Sequence, residues 1–251
     1  MQTKLSDLVS LQVFAESVRE KMGDKIRLYS LSFVQGFGSE QAGTISVNKY
    51  KYVGDAGIVA EGEAVPMAQL SASTENLQIK KAAKSVNITD EAMRGNFSNP
   101  ATEAEDQLSK SVSNGVEKEM FTALSTGATL VHASTGNQLT AVEALSAVAK
   151  FGEDQDEDMT ILANANQLVN IETDKAFIDG KLNGMEVIYS NRVNVGEAFI
   201  VKQGALGLYL AKEVQVEESR DVTHKSTLIS ADAHFATHVR DESKVVKVTF
   251  A

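Results

Sequence analysis

The apolar positions change period several times along the chain. Leu5, Leu8, Leu11, Ala15, Val18 and Met22 recur at three- and four-residue spacing, which predicts an amphipathic helix ending at Gly23. Leu28 to Val34 predicts a strand, and Gln35-Gly36-Phe37-Gly38 a turn. Two strand-like runs, Ile45 to Val59 and Leu77 to Ile88, flank a polar, glycine-rich connection, the pattern of a long hairpin. Pro66 lacks a backbone donor and blunts pairing near the tip. A lone two-stranded hairpin is marginally stable in water, so this one is expected to pack on something, such as another copy. A ligand-binding flap on a monomer is the alternative.

A short helix starts at Thr89-Asp90-Glu91-Ala92-Met93, and a long one is predicted from about Pro100 to Leu124. Asn99 can cap it, Pro100 suits its first turn, and Glu103, Glu105 and Asp106 complement its dipole. Its stripe of Ala104, Leu108, Val112, Val116, Met120 and Leu124 advances by four residues, so it drifts about 40° per step round the cylinder. Gly115 belongs where another backbone approaches closely. Ser125 to Gly136 is small and polar, a crossing between domains. Thr140 and Glu143 form a capping box for a helix with Val142, Leu145 and Val148 on one face. Met159 to Ala163 predicts a buried strand. Asn164 or Asn166 caps a helix over Gln167 to Phe177, and Asp179-Gly180 makes a turn. Strands follow at Met185 to Tyr189 and Phe199 to Val201. The last sixty or so residues alternate at Leu206, Leu208 and Leu210, at Val214 and Val216, and at Val246, Val248 and Phe250, as antiparallel sheet does. Strands at both ends around a mixed middle give an α+β protein whose first domain is closed by its C-terminal strands.

Composition narrows the function. With 251 residues the chain can bury a large core in one or two domains. A net charge of −10 argues against a surface that wraps nucleic acid by neutralising phosphates. The absence of cysteine excludes disulfides and thiolate metal sites. Asp7, Ser10, Gln12 and Glu16 interrupt the first apolar residues, so no signal peptide is expected, and no window has the length of a membrane span.

Motifs for chemistry are weak. Gly36-Phe37-Gly38 is not a dinucleotide fingerprint, because Gln41 stands where the third glycine belongs. Asp154, Asp156 and Asp158 alternate like a calcium loop, but Met159 and Ala165 replace its glycine and terminal glutamate, so a solvated loop is expected. His234 and His238 lie on a predicted strand and make only a weak metal site with Asp232. His132 and His224 show no evident partners. No nucleophile elbow, phosphate loop or zinc helix appears, so neither catalytic residue nor cofactor is assigned.

The succession Gly54-Asp55-Ala56-Gly57, Glu61-Gly62-Glu63-Ala64-Val65-Pro66, Lys80-Lys81-Ala82-Ala83-Lys84-Ser85-Val86-Asn87-Ile88-Thr89-Asp90-Glu91-Ala92, the acidic-start helix and Asp241-Glu242-Ser243-Lys244-Val245-Val246-Lys247-Val248 resembles the tailed-phage major capsid proteins of the Hong Kong 97 fold. Order and spacing over nearly the whole chain carry the resemblance, not any single motif. It implies an N-terminal arm and first strand of a peripheral (P) domain over 1–52, an extended E-loop over 53–79, and the P domain with its spine helix over 80–136. An α/β axial (A) domain would cover 137–220, and closing P-domain strands 221–251. It implies a non-enzymatic shell subunit that forms hexamers and pentamers around double-stranded phage DNA, without sequence-specific binding and without a membrane. The subunit would be assembled in the host cytoplasm and end in the virion. With the hairpin inside the first sixty or so residues there is no room for an N-terminal scaffolding segment, so a separate scaffolding protein, or a processed chain, is expected beside a portal protein. The E-loop has no lysine between Val53 and Ile79, so the lysine–asparagine crosslink of the fold's founding member is not expected there. The intersubunit residues expected are Asp55, Glu61, Glu63, Pro66 and Glu75 on the acidic arm and Lys80, Lys81 and Lys84 at its basic base; loop Glu153 to Asp158 would supply axial contacts. An encapsulin-like nanocompartment shell is the alternative within the fold, and a soluble enzyme with a hairpin flap the alternative outside it.

Overall fold

The computed structural model describes residues 25–38, 43–50, 53–54, 56–95, 100–134, 136–153, 158–211 and 215–250. The predicted helix over Leu5 to Met22, the Asn99 cap and most of the acidic loop lie outside the described residues. The strands are β1 (Ser32–Phe37), β2 (Thr44–Tyr50), β3 (Ala72–Gln78), β4 (Lys80–Thr89), β5 (Leu130–Ala133), β6 (Met159–Ala163), β7 (Phe177–Ile178), β8 (Lys181–Leu182), β9 (Met185–Tyr189), β10 (Glu197–Lys202), β11 (Leu206–Ala211), β12 (Gln215–Asp221), β13 (Ser226–Val239) and β14 (Val245–Thr249). The helices are α1 (Asp90–Gly95), α2 (Pro100–Gly127), α3 (Ala141–Val148) and α4 (Leu168–Glu172).

The long helix α2 organises the core. Every member of its expected stripe, Ala104, Leu108, Val112, Val116, Met120 and Leu124, is buried. A second stripe at Ser109, Ser113, Glu117 and Phe121 is buried beside it, so the inward face is wider than the apolar pattern shows. Ser113 satisfies its hydroxyl by donating to the Ser109 carbonyl at 2.7 Å. Against one side lies a five-stranded sheet in which β13 pairs with β4 along one edge and with β12 and β11 along the other. A Cβ on Gly115 would meet the Ala82 methyl of β4 at 3.2 Å, the close approach expected of that glycine.

A seven-stranded sheet of order β5-β14-β10-β6-β9-β8-β7 is buried on both faces at its centre. Phe199 and Val201 of β10 point into the cluster around α2, with Leu162 and Val245, while Ala198 and Ile200 point into a second cluster with Ala144, Ala147 and Ile171. The alternation of one strand thus joins two cores.

Several expectations change. The strand expected from Leu28 begins at Ser32, and Gln35 to Phe37, expected as a turn, continue β1 in a parallel ladder with β11. Glycine at position 36 is tolerated because its ladder partner supplies the order that its own propensity lacks. The helix expected over Gln167 to Phe177 is a 3₁₀ turn, Ala165–Gln167, then α4, which ends at Glu172. On α3, Val142 and Leu145 face outward at 72% and 53% exposure, while Ala144 and Ala147 are buried. Periodicity marks two apolar faces here, and the smaller side chains let the helix approach the sheet. Thr140 caps α3 as predicted by accepting from the Glu143 amide at 3.3 Å. Asp174 caps it further, accepting from the Ala141 amide at 2.9 Å. Sheet membership also departs from the expected boundaries of 137–220 and 221–251: β11 and β12 pair with β13, whereas β5 and β14 belong to the seven-stranded sheet. Alternation shows that a segment is a strand and is silent about its partner.

Leu108→Ala should lower unfolding free energy by about 3 kcal/mol, because the helix cannot collapse into the void. Val142→Ala should stay within about 0.5 kcal/mol, as at an ordinary surface position; urea unfolding of both variants checks the assignment of faces. The Ala141 amide, then that of Ala176, hold the Asp174 carboxyl below its ordinary value against the opposing effect of desolvation. A depressed native pKa stabilises above the unfolded value and is lost as pH falls through the native one. The stability gap between wild type and Asp174→Ala should therefore be widest at neutral pH and shrink below the ordinary carboxylate range.

Candidate assembly surface

Strands β2 and β3 pair antiparallel from Thr44↔Gln78 to Tyr50↔Ala72 as a separate ribbon. Both arms are shorter than expected: the first stops at Tyr50, and the second divides at Ile79, beyond which β4 joins the five-stranded sheet. At the ribbon's base, Ile45 and Leu77 pack on Tyr209 and Ala236, with Phe37, Val47 and Ile79 around them. The other face is polar, with Ser46 donating to Asn76 at 2.8 Å and Thr74 to Asn48 at 3.2 Å. One face docks on the sheet and the other meets water, the arrangement that period-two alternation produces.

Beyond the ribbon the described part of 53–71 has no regular structure apart from a turn at Glu61-Gly62, where the Glu63 amide donates to the Ala60 carbonyl at 3.1 Å. Its large apolar side chains are uncovered: Ile58 and Met67 are 105% and 99% exposed, and Val53, Val65 and Leu70 are exposed too. Several large apolar side chains exposed along one loop make that loop a candidate contact surface.

The predicted contact residues divide into three sets. Asp55 lies outside the described residues. Glu61, Glu63 and Pro66 are exposed on the loop, while Glu75 is half-buried on β3. It lines a cleft of about 300 Å³ with Leu77, Lys80 and Glu119. Within one subunit Glu75 of the arm and Lys80 of the base thus share one cleft, while Glu61 and Glu63 stay exposed on the loop. Lys80 pairs with Glu119 at 2.5 Å, Lys81 with Asp232 at 3.2 Å, and Lys84 is exposed.

The histidines also find partners that the sequence did not reveal. His132 Nε2 lies 2.8 Å from Glu143 Oε2, and His224 Nδ1 lies 2.7 Å from Asp221 Oδ2. His234 approaches Asp232 at 3.6 Å, but His238 stacks on Tyr209, and no metal-binding cluster occurs among the described residues. The ends of the acidic loop, Glu153 and Asp158, are exposed.

A buried ionic node escaped the sequence entirely. Glu117, 1% exposed in the middle of α2, accepts from Arg27 Nε at 3.1 Å and from the Arg27 amide at 3.0 Å, and pairs with Arg192 on its other oxygen. Arg27 also donates to the Tyr189 carbonyl at 2.7 Å and to Ser190 at 3.2 Å; Arg192 donates to Asn114 at 2.8 Å. Burial, and next the Arg27 charge beside it, lower the Arg192 pKa. The node ties the segment before β1 and the loop after β9 to the centre of the helix. Its only sequence signal is an acid in register with Ser109, Ser113 and Phe121.

A family model described as phage capsid protein matches residues 72–248, most of the chain. The chain belongs to the phage capsid protein family. The major capsid protein of Staphylococcus phage phiMR11 is 29% identical to this capsid protein over 98% of the chain and 95% of its own length. The capsid of a native GTA particle superposes with a TM-score of 0.73 at 11% identity, over 90% of each chain. A chain from Mycobacterium phage Adephagia covers 100% of this capsid protein and 99% of its own length, with a TM-score of 0.63 at 12% identity. A virus-like particle from Pyrococcus furiosus gives 0.69 at 9% identity, over 94% of this chain and 98% of its own. The fold is that of the Hong Kong 97-type capsids, as the resemblance implied.

Removing the buried carboxylate leaves two guanidinium groups crowded without their anion. Glu117→Ala should cost about 3–5 kcal/mol. Arg27→Ala and Arg192→Ala should each cost less, because the remaining arginine still answers Glu117; denaturant titration of the three variants measures the difference.

Proposed function

We propose that this capsid protein is the repeating subunit of a closed icosahedral shell, built as hexamers and pentamers around double-stranded phage DNA. The observation that carries the reading is the loop of residues 53–71. Ile58, Val65, Met67 and Leu70 are left exposed by the described residues of their own subunit, and a neighbouring copy provides the cover. The ribbon serves as the E-loop and α2 as the spine helix. The five-stranded sheet with α2 forms the peripheral domain, and the seven-stranded sheet the axial one. Glu61, Glu63, Pro66 and Glu75 travel with the arm towards a neighbour, and Lys80, Lys81 and Lys84 lie at the base that a neighbour meets.

The role is structural and non-enzymatic, and its site of action is the virion. Shell closure lets many weak contacts act together, so no single interface must be strong. The acidic surface suits a container that encloses DNA without gripping it. A separate scaffolding protein and a portal protein complete the assembly, which takes place in the host cytoplasm.

The test is expression of the full chain with its scaffolding protein, followed by light scattering and negative-stain microscopy. Closed particles are expected from wild type. Deleting Ala60 to Ala72 should abolish them while leaving a soluble subunit with unchanged circular dichroism. Intact shells from that deletion would remove the loop from the assembly mechanism. DNA inside particles recovered from infected cells distinguishes a phage head from a nanocompartment, which would hold protein cargo.

A further inference from the structure

Among the described residues the five-stranded sheet has open edges on both sides of β13. There, strand β4 is hydrogen-bonded to β13 alone, and so is β12. Exposed edges normally carry charge, which discourages indiscriminate pairing. Here the two edges carry opposite charge within two rows of each other. Across β13, the row Lys84–Ala231–Val216 is followed by Ser85–Ser230–Glu217 and Val86–Ile229–Glu218. Lys84 on one edge is therefore level with Val216 on the other, one row from Glu217 and two rows from Glu218.

Neighbouring charges are already committed. Lys80 is paired with Glu119, and Lys81 with Asp232. Arg220 holds Asp90 with two contacts of 2.6 Å, and Asp221 pairs with His224 at 2.7 Å. Lys84, Glu217 and Glu218 remain exposed, without an ion pair among the described residues. Both β4 and β12 run antiparallel to β13, hence parallel to each other. A second copy displaced sideways in the plane of the sheet would therefore set its acidic β12 edge beside the basic β4 edge, with strand direction matched and opposite charges within two rows of each other.

We infer that β12 of one subunit docks against β4 of the next, with Glu218 on the same sheet face as the neighbour's Lys84 and Glu217 adding negative charge to the other face of that edge. The contact is head-to-tail, since each copy offers one edge and receives the other. Such a contact closes into a ring when each step adds a fixed rotation. Small changes in that rotation accommodate five or six copies. The charges set register and encounter rate more than final affinity, and salt weakens them. The inference rests on the shell reading and assigns Lys84, at the basic base, its partner.

Charge reversal tests it in the same co-expression assay. Lys84→Glu, and separately the pair Glu217→Lys with Glu218→Lys, should each cut particle yield by roughly tenfold or more, through like-charge repulsion. Combining all three reversals should restore particles. Lys84→Gln, the milder variant in case a reversal disturbs folding, should give an intermediate loss. Wild-type yield from Lys84→Glu and Lys84→Gln would overturn the docking. So would failure of the triple variant to assemble when its circular dichroism matches wild type. An absence of particles from the wild-type chain would instead strike at the shell reading itself, so the two failures are distinguishable.

Discussion

The architecture depends on burying one long helix along almost its whole length. Its inward face spans two adjacent stripes, from Ala104 to Leu124 and from Ser109 to Phe121. A face that wide needs more than one neighbour. The five-stranded sheet covers one part, and Phe199, Val201, Leu162 and Val245 of the seven-stranded sheet close over another. Glu117 sits in the same buried face, and its cost is offset only because Arg27 and Arg192 reach it from both flanking segments. The helix therefore fixes the geometry of both sheets through packing and through one saturated carboxylate.

That division of labour explains which parts were legible in the sequence. The stripe of α2, the buried strand β6, the Thr140 cap and the close approach at Gly115 all follow from local rules of period, capping and size. They appear where the residues predict them. Pairing does not follow from local rules. The run from Leu77 to Ile88 reads as one strand, yet it changes sheets at Ile79, because β3 finds β2 while β4 finds a strand about 150 residues later. Glu117 was equally invisible, since an acid at a helical position normally faces water and its two arginines lie far off in sequence. The resemblance to a capsid family supplied what periodicity could not.

At the candidate assembly surface the sequence displays charge and hides packing. Acidic and basic residues at the hairpin stand out by charge, whereas the structure shows Lys80 and Lys81 already answered within the subunit. The loop's uncovered apolar side chains are the stronger feature, and they were obscured by the glycines and acids between them. Among the described residues the ribbon is anchored by a small cluster at Ile45, Leu77, Tyr209 and Ala236, separate from the main core, so its angle can change without disturbing that core. Copies in non-identical surroundings can then share one fold.

The place of β14 bears on timing. It lies between β5 and β10, one position in from the sheet's edge, although it comes after every other strand in the chain. Until Val245–Thr249 has left the ribosome, β5 has no partner and the buried face of β10 lacks its neighbour. Such long-range closure is slow compared with forming a local hairpin. A nascent chain cannot present a finished subunit, so synthesis order itself separates folding from assembly and protects against shells built on half-made parts.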